Sequence, residues 1–461
     1  MIPLPQAAGK RYGVFGLGRS GRATAMALRA SGAEVLAWDD RVEVMPEGVI
    51  RLDFRSGPWP ALEGLVWSPG IAFEHPAPHP VAARAKRENC PLLCDVDLLA
   101  DSGSGAALVG ITGTNGKSTT TALLAHILGS SGRPAVAGGN IGAAALELPP
   151  LGSGGFYVLE LSSYQLELCQ SARFPVGIWL NLTPDHLDRH GGMHGYAAAK
   201  SRLWRNSEPG DVAVIGVDSA FGKAEAARAA SAGRKITFVS GADVPADGVG
   251  MRGGMLIDAT GRREAEILAL ADCPALPGAH NAENAAAAAA AAMALRLDHA
   301  EIAAGLRSFP GLPHRQERVG KIGHVTYIND SKATNAESAA KALNCYERIY
   351  WIAGGLAKAG GIAPLATWFD RIVHAFLIGQ AAPEFAETLD AAGTRFSVEA
   401  DLLTALASAH AMAQADPSNS VVLLSPACAS FDQWPSFEAR GDAFRKAVGC
   451  LPNQQLEERG R

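Results

Sequence analysis

The 461-residue sequence contains no run of about 18 apolar residues free of charge, so nothing in it reads as a membrane-spanning helix. The first residues, MIPLPQAAGKRYGVFGLG, lack the apolar core and cleavage site of a signal peptide. Cysteine is sparse and unpatterned. Seven residues, at positions 90, 94, 169, 273, 345, 428 and 450, form an odd, scattered set without a C-x-x-C pair. That argues against a disulfide framework and for a reducing, cytoplasmic setting. Positive charge is not in excess either. The formal net charge is −5 with both signs spread along the chain, whereas a nucleic-acid binder usually carries a basic stripe. No repeat of solenoid period is present.

What is present is a globular composition, 48% apolar, in a chain long enough for two to four domains of roughly 100–200 residues. Strand and helix patterns alternate. YGVFGLG reads as a strand and tight turn, RSGRATAMALRASG as a helix ended by Gly32, and AEVLAWDD and GLVWSPGI as further strands. DSGSG at 101–105 is a linker. A second α/β unit begins at ALVGITGTNGKSTTTALLAHILGSSG and runs on through GFYVLELSS, VGIWLNLT and DVAVIGVD, with hairpins expected over 234–275. The alanine-rich stretch after LPGAHNAEN is a helix, alanine being the best helix former. SFPGLPHRQERV marks a second boundary near 310, and a third alternating unit follows. The expected domains are 1–103, 104–312 and 313–461, each a mostly parallel sheet covered by helices with its ligands at the carboxyl ends of the strands.

Several motifs sit in those strand-end loops. Gly16-x-Gly18-x-x-Gly21 lies between a strand and a helix, and Asp39 and Asp40 end the next strand. This is the dinucleotide fingerprint in its proper context, although a Gly-rich packing turn or another diphosphate ligand, such as a nucleotide sugar, fits it too. GITGTNGKSTT ends as a phosphate-binding loop, with Gly116, Lys117 and Ser118 opening a helix. Backbone N–H groups, a cation and a Mg²⁺-binding hydroxyl are what a nucleoside triphosphate requires there. The spacing departs from the usual pattern, since Ile111 stands six residues before Lys117 and Gly110 one further back. Glu160, at the end of the strand in YVLELSSYQLE, reads as a Mg²⁺ contact or a capping residue.

TPDHLDRHGGMHGYAAAKSRLW spaces His186, His190 and His194 four apart, as zinc ligands on one helix face would be. Gly191 and Gly192 break such a helix, which leaves a solvated polar loop or a hard-cation and phosphate site. His314-Arg315 offers a phosphate clamp or a surface ion pair. Asp330, Lys332 and Thr334 follow one strand, and Ser425, Ser430 and Asp432 follow another. Cys428, with no fixed histidine partner, reads as a small buried residue rather than a nucleophile.

Taken in order, GTNGKST, ELSSYQLE, NLTPDHLDRH…YAAAKSRLW, GAHNAENAAAA, GLPHRQE, NDSKATN and LSPACASFDQW resemble the Mur ligases of bacterial cell-wall synthesis. The likeness runs from Gly16 to Phe437. The phosphate loop and the DHLDRH…K segment mark the whole superfamily, folylpolyglutamate synthase included. NDSKATN and SPACASFDQW are closer to the member that adds D-glutamate to UDP-N-acetylmuramoyl-L-alanine. The resemblance implies an α/β chain of three domains: an N-terminal Rossmann-like domain, a central P-loop ATPase-like domain and a C-terminal Rossmann-like domain. It implies ATP and Mg²⁺ as cofactors and a cytoplasmic monomer.

By the same resemblance Gly113, Thr114, Asn115, Gly116, Lys117, Ser118 and Thr119 hold the ATP phosphates, Asn281 contacts adenine, and Arg315 and Asp330 take phosphate and ribose. Ser118, Glu160, His186 and Lys200 hold the metal, Lys200 as the carbamate it forms with CO₂; Lys117, His186 and Lys200 are the catalytic set. The UDP-sugar lies along Arg19, Ser20, Asp40, Arg41, Ser68 and Gly70, with Asn140 reaching it, and the amino acid near Lys332, Thr334, Lys358, Ser430 and Phe437. One departure from the family is Leu356 in GGLAKAGG, where an aspartate is expected. Competing readings are a ligase adding L-glutamate, folylpolyglutamate synthase, a regulator without ligase chemistry, and an NAD-dependent oxidoreductase built on residues 13–40.

Overall fold

The computed structural model describes residues 1–357 and 360–452, with His280 by its backbone alone. Among the described residues the main strands form three sheets. The first comprises β1 (Arg11–Phe15), β2 (Glu34–Trp38), β3 (Ile50–Arg51), β4 (Gly64–Trp67) and β5 (Leu92–Leu93). Its order is β3-β2-β1-β4-β5 and every pairing is parallel. Strand order reverses between β1 and β4, and in such sheets ligands bind outside the carboxyl ends at that reversal. The loop Gly16–Gly18 leaves β1 there and leads into the helix Arg19–Ala30, which ends at Ser31 with Gly32 in the left-handed region.

The second sheet holds β6 (Ala107–Thr112), β7 (Ala135–Gly139), β8 (Phe156–Glu160), β9 (Val176–Trp179), β10 (Val212–Gly216), β11 (Lys235–Ser240), β12 (Gly248–Arg252), β13 (Met255–Asp258) and β14 (Ala265–Ala269). The order is β14-β13-β12-β11-β10-β9-β6-β8-β7. The hairpins expected over 234–275 are β12–β13 and β13–β14, whereas β11 joins the sheet in parallel with both neighbours. Strand β6 lies between β8 and β9, so the ends of all three open onto one place.

The third sheet contains β15 (Glu317–Ile322), β16 (Val325–Asn329), β17 (Ile349–Gly354), β18 (Ile372–Ile378), β19 (Phe396–Val398) and β20 (Ser420–Leu424), in the order β15-β16-β20-β17-β18-β19. Only β15–β16 is antiparallel.

The chain packs as two compact units, one made of Met1–Cys273 with Ala279–Phe309, the other of Pro274–Gly278 with the chain from Pro310 on. The first carries the first two sheets on a shared apolar core. In the second, successive residues of β17 point to opposite faces, Trp351 and Ala353 into one core and Tyr350 and Ile352 into the other. Both faces are buried, as parallel sheets require. The helix His280–Ala294 packs on the helix Lys117–Ser130 and on β10, β11 and β12. Ala285 to Ala292 are at most 1% exposed, so this helix is enclosed on every side and alanine lets its neighbours approach closely. No helix among the described residues is long and apolar enough to cross a membrane.

Candidate active site

The loop after β6 is shaped by Gly113 (φ +151°) and Gly116 (φ +83°), conformations that favour glycine. A Cβ on Gly116 would also collide with the Asn284 side chain. Gly110, the glycine that seemed out of place in the motif, lies within β6, where a Cβ would press on Leu203 and Phe174. It serves packing, and Gly113 is the first loop glycine. Thr114 N–H donates to the Asn181 carbonyl (2.9 Å) and Asn115 N–H to Asn181 Oδ1 (2.9 Å), so the chain beyond β9 clamps the loop. Ser118 is half-buried and Thr119 buried in the first turn of the helix Lys117–Ser130. Asn281 is buried and accepts from Asn284 Nδ2 (3.0 Å), and Thr120 Oγ1 donates to Asn284 Oδ1 (3.2 Å).

Two lysines converge on one carbonyl oxygen. Lys117 Nζ donates to Gly113 O (3.0 Å) and Thr114 O (2.8 Å), while Lys200 Nζ donates to Gly113 O (2.8 Å) and approaches Thr112 Oγ1 (3.4 Å). Lys200 comes from the helix Met193–Ser201, is 1% exposed and stands 4.6 Å over the Tyr196 ring. Burial first, and the Lys117 charge second, hold its amine well below the usual lysine range, against the pull of Asp185 and Glu160.

Glu160 ends β8 and is 3% exposed. Its Oε1 accepts from Asn140 Nδ2 (2.8 Å), and its Oε2 is buried without a hydrogen-bond partner. The helix that follows, Ser163–Leu168, is capped by Ser162 and Gln165, so Glu160 is no cap. Arg19 donates to the carbonyls of Gly142 (2.9 Å) and Asn140 (3.0 Å), which links the first helix to Asn140 and through it to Glu160.

The three histidines do not form a zinc site. His186 (φ +53°) is exposed, 4.9 Å from the Tyr164 ring and 3.4 Å from Asp185. His190 is buried, with Glu167 at 3.0 Å on one ring nitrogen and Ser163 at 2.9 Å on the other. His194 is exposed, with its ring edge on Phe221. Gly191 and Gly192, both at positive φ, separate the short helix Leu187–His190 from Met193–Ser201 and turn the histidines apart. Among the described residues the metal-ligating side chains that cluster are Cys94, Asp97 and Cys169. The two Sγ atoms lie 3.4 Å apart, a proximity the scattered cysteine positions gave no sign of. The Asp97 carboxylate there accepts the backbone N–H groups of Gln170, Ser171 and Ala172 (each 2.9 Å).

In the first sheet Asp39, rather than Asp40, holds the glycine loop. Asp39 accepts from Leu17 N–H (2.6 Å) and from the N–H groups of Arg41 (2.8 Å) and Val42 (3.2 Å), and these bonds draw its carboxyl below the ordinary range against the opposing effect of burial. Asp40 is held outward by Trp38 Nε1 (2.8 Å) and Arg55 (2.9 Å). Ser68 Oγ donates to Gly16 O (3.3 Å), the Ser20 carbonyl accepts from Thr24, and the space beside Gly70 is open.

In the second unit Asp330 is buried at the end of β16. Its carboxylate accepts from Ser425 Oγ (2.8 Å) and Gln316 N–H (3.1 Å), and burial pushes it up to about 7. Arg315 is exposed. His314 is buried against Asn329 (3.1 Å). Lys332 Nζ stands 5.3 Å over the Phe437 ring, with the Thr334 N–H bonded to the Lys332 carbonyl (2.9 Å). Ser430 is buried and its carbonyl accepts from Trp434 N–H (2.7 Å). Lys358 lies outside the described residues. Leu356 exchanges backbone bonds with Ala429 and leaves its side chain 41% exposed. Burial pushes the Cys428 thiol up to about 12, so it stays protonated and unreactive.

One residue that motif reading passed over stands behind these loops. Arg440, 1% exposed, donates to Ser331 Oγ (2.9 Å) and to the carbonyls of Ser331 (2.9 Å) and Cys428 (3.1 Å). It binds the loop after β16 to the loop after β20. Its sequence neighbourhood carries no motif that could have flagged it.

Residues 111–292 match the Mur ligase middle domain and residues 314–428 the glutamate ligase domain of Mur ligases. The UDP-N-acetylmuramoylalanine–D-glutamate ligase of Paramagnetospirillum magneticum is 51% identical over 453 residues, 97% of this chain and 98% of the relative. That of Rhodospirillum rubrum is 50% identical, over 98% and 97%. The solved UDP-N-acetylmuramate–alanine ligase of Thermotoga maritima has a TM-score of 0.59 at 17% identity, covering 95% of this chain and 99% of that one, a likeness of fold. The near-full-length identity and the two matched domains lead to one conclusion: the chain belongs to the Mur ligase family.

Proposed function

We propose that this chain forms an amide bond at the expense of ATP, adding D-glutamate to UDP-N-acetylmuramoyl-L-alanine in peptidoglycan precursor synthesis and releasing ADP and phosphate. The observation that carries the reading is the convergence of Lys117 and Lys200 on the Gly113 carbonyl, with Glu160 near enough to act on the Lys200 charge. The assigned domains are 1–103 for the UDP-sugar, 104–312 for ATP and 313–461 for the amino acid, and the setting is the cytoplasm.

A carboxylate does not react with an amine until it is activated. Its oxygen takes the terminal phosphoryl group of ATP, giving an acyl phosphate and ADP; the amine of glutamate then attacks the acyl carbon, and phosphate leaves. Lys117, at the start of its helix, offers a cation and the helix N-terminus to the phosphate charge. The buried Lys200 amine, held toward its neutral form, is suited to attack CO₂; loss of one N–H proton to solvent then leaves an anionic carbamate, opposite in charge to the neighbouring Lys117 ammonium. The donor set fits a hard cation, since Glu160 Oε2 is a buried carboxylate oxygen without a partner. Ser118, Glu160, His186 and carbamylated Lys200 would hold Mg²⁺, which when bound spreads the phosphate charge. Arg19, Ser20, Asp40, Arg41, Ser68, Gly70 and Asn140 receive the UDP-sugar; Lys332, Thr334, Ser430 and Phe437 receive glutamate.

The test is phosphate release with ATP and UDP-N-acetylmuramoyl-L-alanine across a panel of acceptors including D-glutamate, L-glutamate and L-alanine. Sustained release with D-glutamate alone is expected; a preference for L-glutamate, or release without any acceptor, would refute the assignment.

A further inference from the structure

The side chain of Glu283 has no part in the assignment above, yet it reaches the phosphate loop through a single intermediary. Glu283 lies in the first turn of the helix His280–Ala294, half-buried, against Gly216 at the end of β10 and Gly241 just beyond β11. Its Oε2 accepts a hydrogen bond from Asn181 Nδ2 (2.7 Å). The same amide faces Asn115 of the loop with its other end, Oδ1 accepting from Asn115 N–H (2.9 Å) while Nδ2 approaches Asn115 O (3.3 Å).

An asparagine amide can turn over, exchanging its oxygen and nitrogen, unless its neighbours choose between the two. Here both neighbours choose. A backbone N–H only donates, so it demands the amide oxygen; a carboxylate accepts, so it demands the amide nitrogen. Without Glu283 the amide nitrogen keeps only its longer bond to the Asn115 carbonyl (3.3 Å), so the orientation of the amide rests on Asn115 alone and is held less firmly. Adding a methyl-sized group at Gly216 would press on Glu283 Oε1 (2.6 Å), so the pocket fits this carboxylate closely. We infer that Glu283 is a positioning residue for ATP: it fixes the orientation of the Asn181 amide, which in turn fixes the peptide at Asn115 in the loop that receives the phosphates. Burial pushes the Glu283 carboxyl up to about 7, with Asp218 adding to the rise and the Asn181 bond opposing it. A protonated carboxyl still has a carbonyl oxygen to accept with, so the arrangement survives neutralisation.

The inference rests on the loop being the ATP site, and the experiment separates the two. Steady-state KM values for all three substrates, and ADP binding by calorimetry, are measured on the full-length wild type, Glu283→Ala, Glu283→Gln and Lys117→Ala. Glu283→Ala is expected to raise KM for ATP and Kd for ADP by about tenfold, the loss of one hydrogen bond to a charged group, with the other two KM values unmoved. Glu283→Gln keeps an acceptor oxygen and is expected to restore most of the loss. Thermal melting checks that each variant is folded. An unchanged KM for ATP in a folded Glu283→Ala, or a Glu283→Gln as impaired as Glu283→Ala, overturns the positioning role while a dead Lys117→Ala leaves the ATP site standing. An active Lys117→Ala would overturn both.

Discussion

At Gly113 one carbonyl oxygen accepts from two lysine side chains, and burial together with the Lys117 charge holds the Lys200 amine toward its neutral form. Turning Lys200 into a carbamate would place an anion beside the Lys117 ammonium. Lys200→Ala is therefore expected to lose nearly all phosphate-release activity, with added bicarbonate unable to restore it. A small carboxylate such as acetate should recover part of the rate by standing in for the missing anion. Wild-type activity in the variant would make Lys200 a packing residue. Asp330 gives a second test at this scale. Its folded carboxyl titrates at about 7 because it is buried, against roughly 4 in the unfolded chain. The stability this group contributes is present below about 4 and is lost as pH rises toward about 7. Asp330→Asn lacks that loss, so above pH 7 it should be more stable than the parent by about 1–3 kcal/mol. Urea unfolding at pH 5 and pH 8 checks it; parallel pH dependences in the two proteins would count against the buried-acid account. Lys117, Glu160 and Lys200 were legible as motif letters. Asp39 was not separable from Asp40, because adjacent residues at a strand end differ only in which way the chain turns. Arg440 and Glu283 had no motif at all.

At the scale of elements, alternation of strand and helix was readable because burial on both faces demands apolar runs and glycine or polar punctuation ends them. The parallel pairing of β11 escaped that reading, since a strand's direction of pairing leaves no trace in its own residues. Glycines inside elements report on neighbours that are distant in sequence or lie across a turn. Gly195, in the helix that carries Lys200, sits where a Cβ would run into the His190 carbonyl. Gly195→Ala should cost about 1–3 kcal/mol through overpacking and displace the helix from the loop. A lowered urea midpoint together with a reduced kcat is expected. An unchanged midpoint and rate would mean the contact relaxes freely.

For the molecule as a whole, the seven thiols give a direct check on which parts are enclosed. Cys450 is exposed, Cys345 half-buried, and Cys90, Cys94, Cys169, Cys273 and Cys428 buried. A colorimetric disulfide reagent at neutral pH should react at once with Cys450, slowly with Cys345, and with the other five only after unfolding in denaturant. Rapid native reaction of more than two thiols would contradict this packing. The scattered cysteine positions carried no information about the approach of Cys94 to Cys169 across 75 residues, because that approach depends on how a helix after the first sheet meets a loop of the second. By itself the sequence determined the chemistry available: a phosphate loop, a carboxylate at a strand end, a lysine in a helix, and the order of strands and helices along the chain. Periodicity and turn residues are local, and local physics suffices for them. Only the tertiary structure decided that Lys200 meets Gly113 across 87 residues and that Glu283 meets Asn181 across 102. The reason is strand order: β8 and β9 flank β6, so segments far apart in the chain end side by side, and the burial that alters the Lys200 amine exists only once they do.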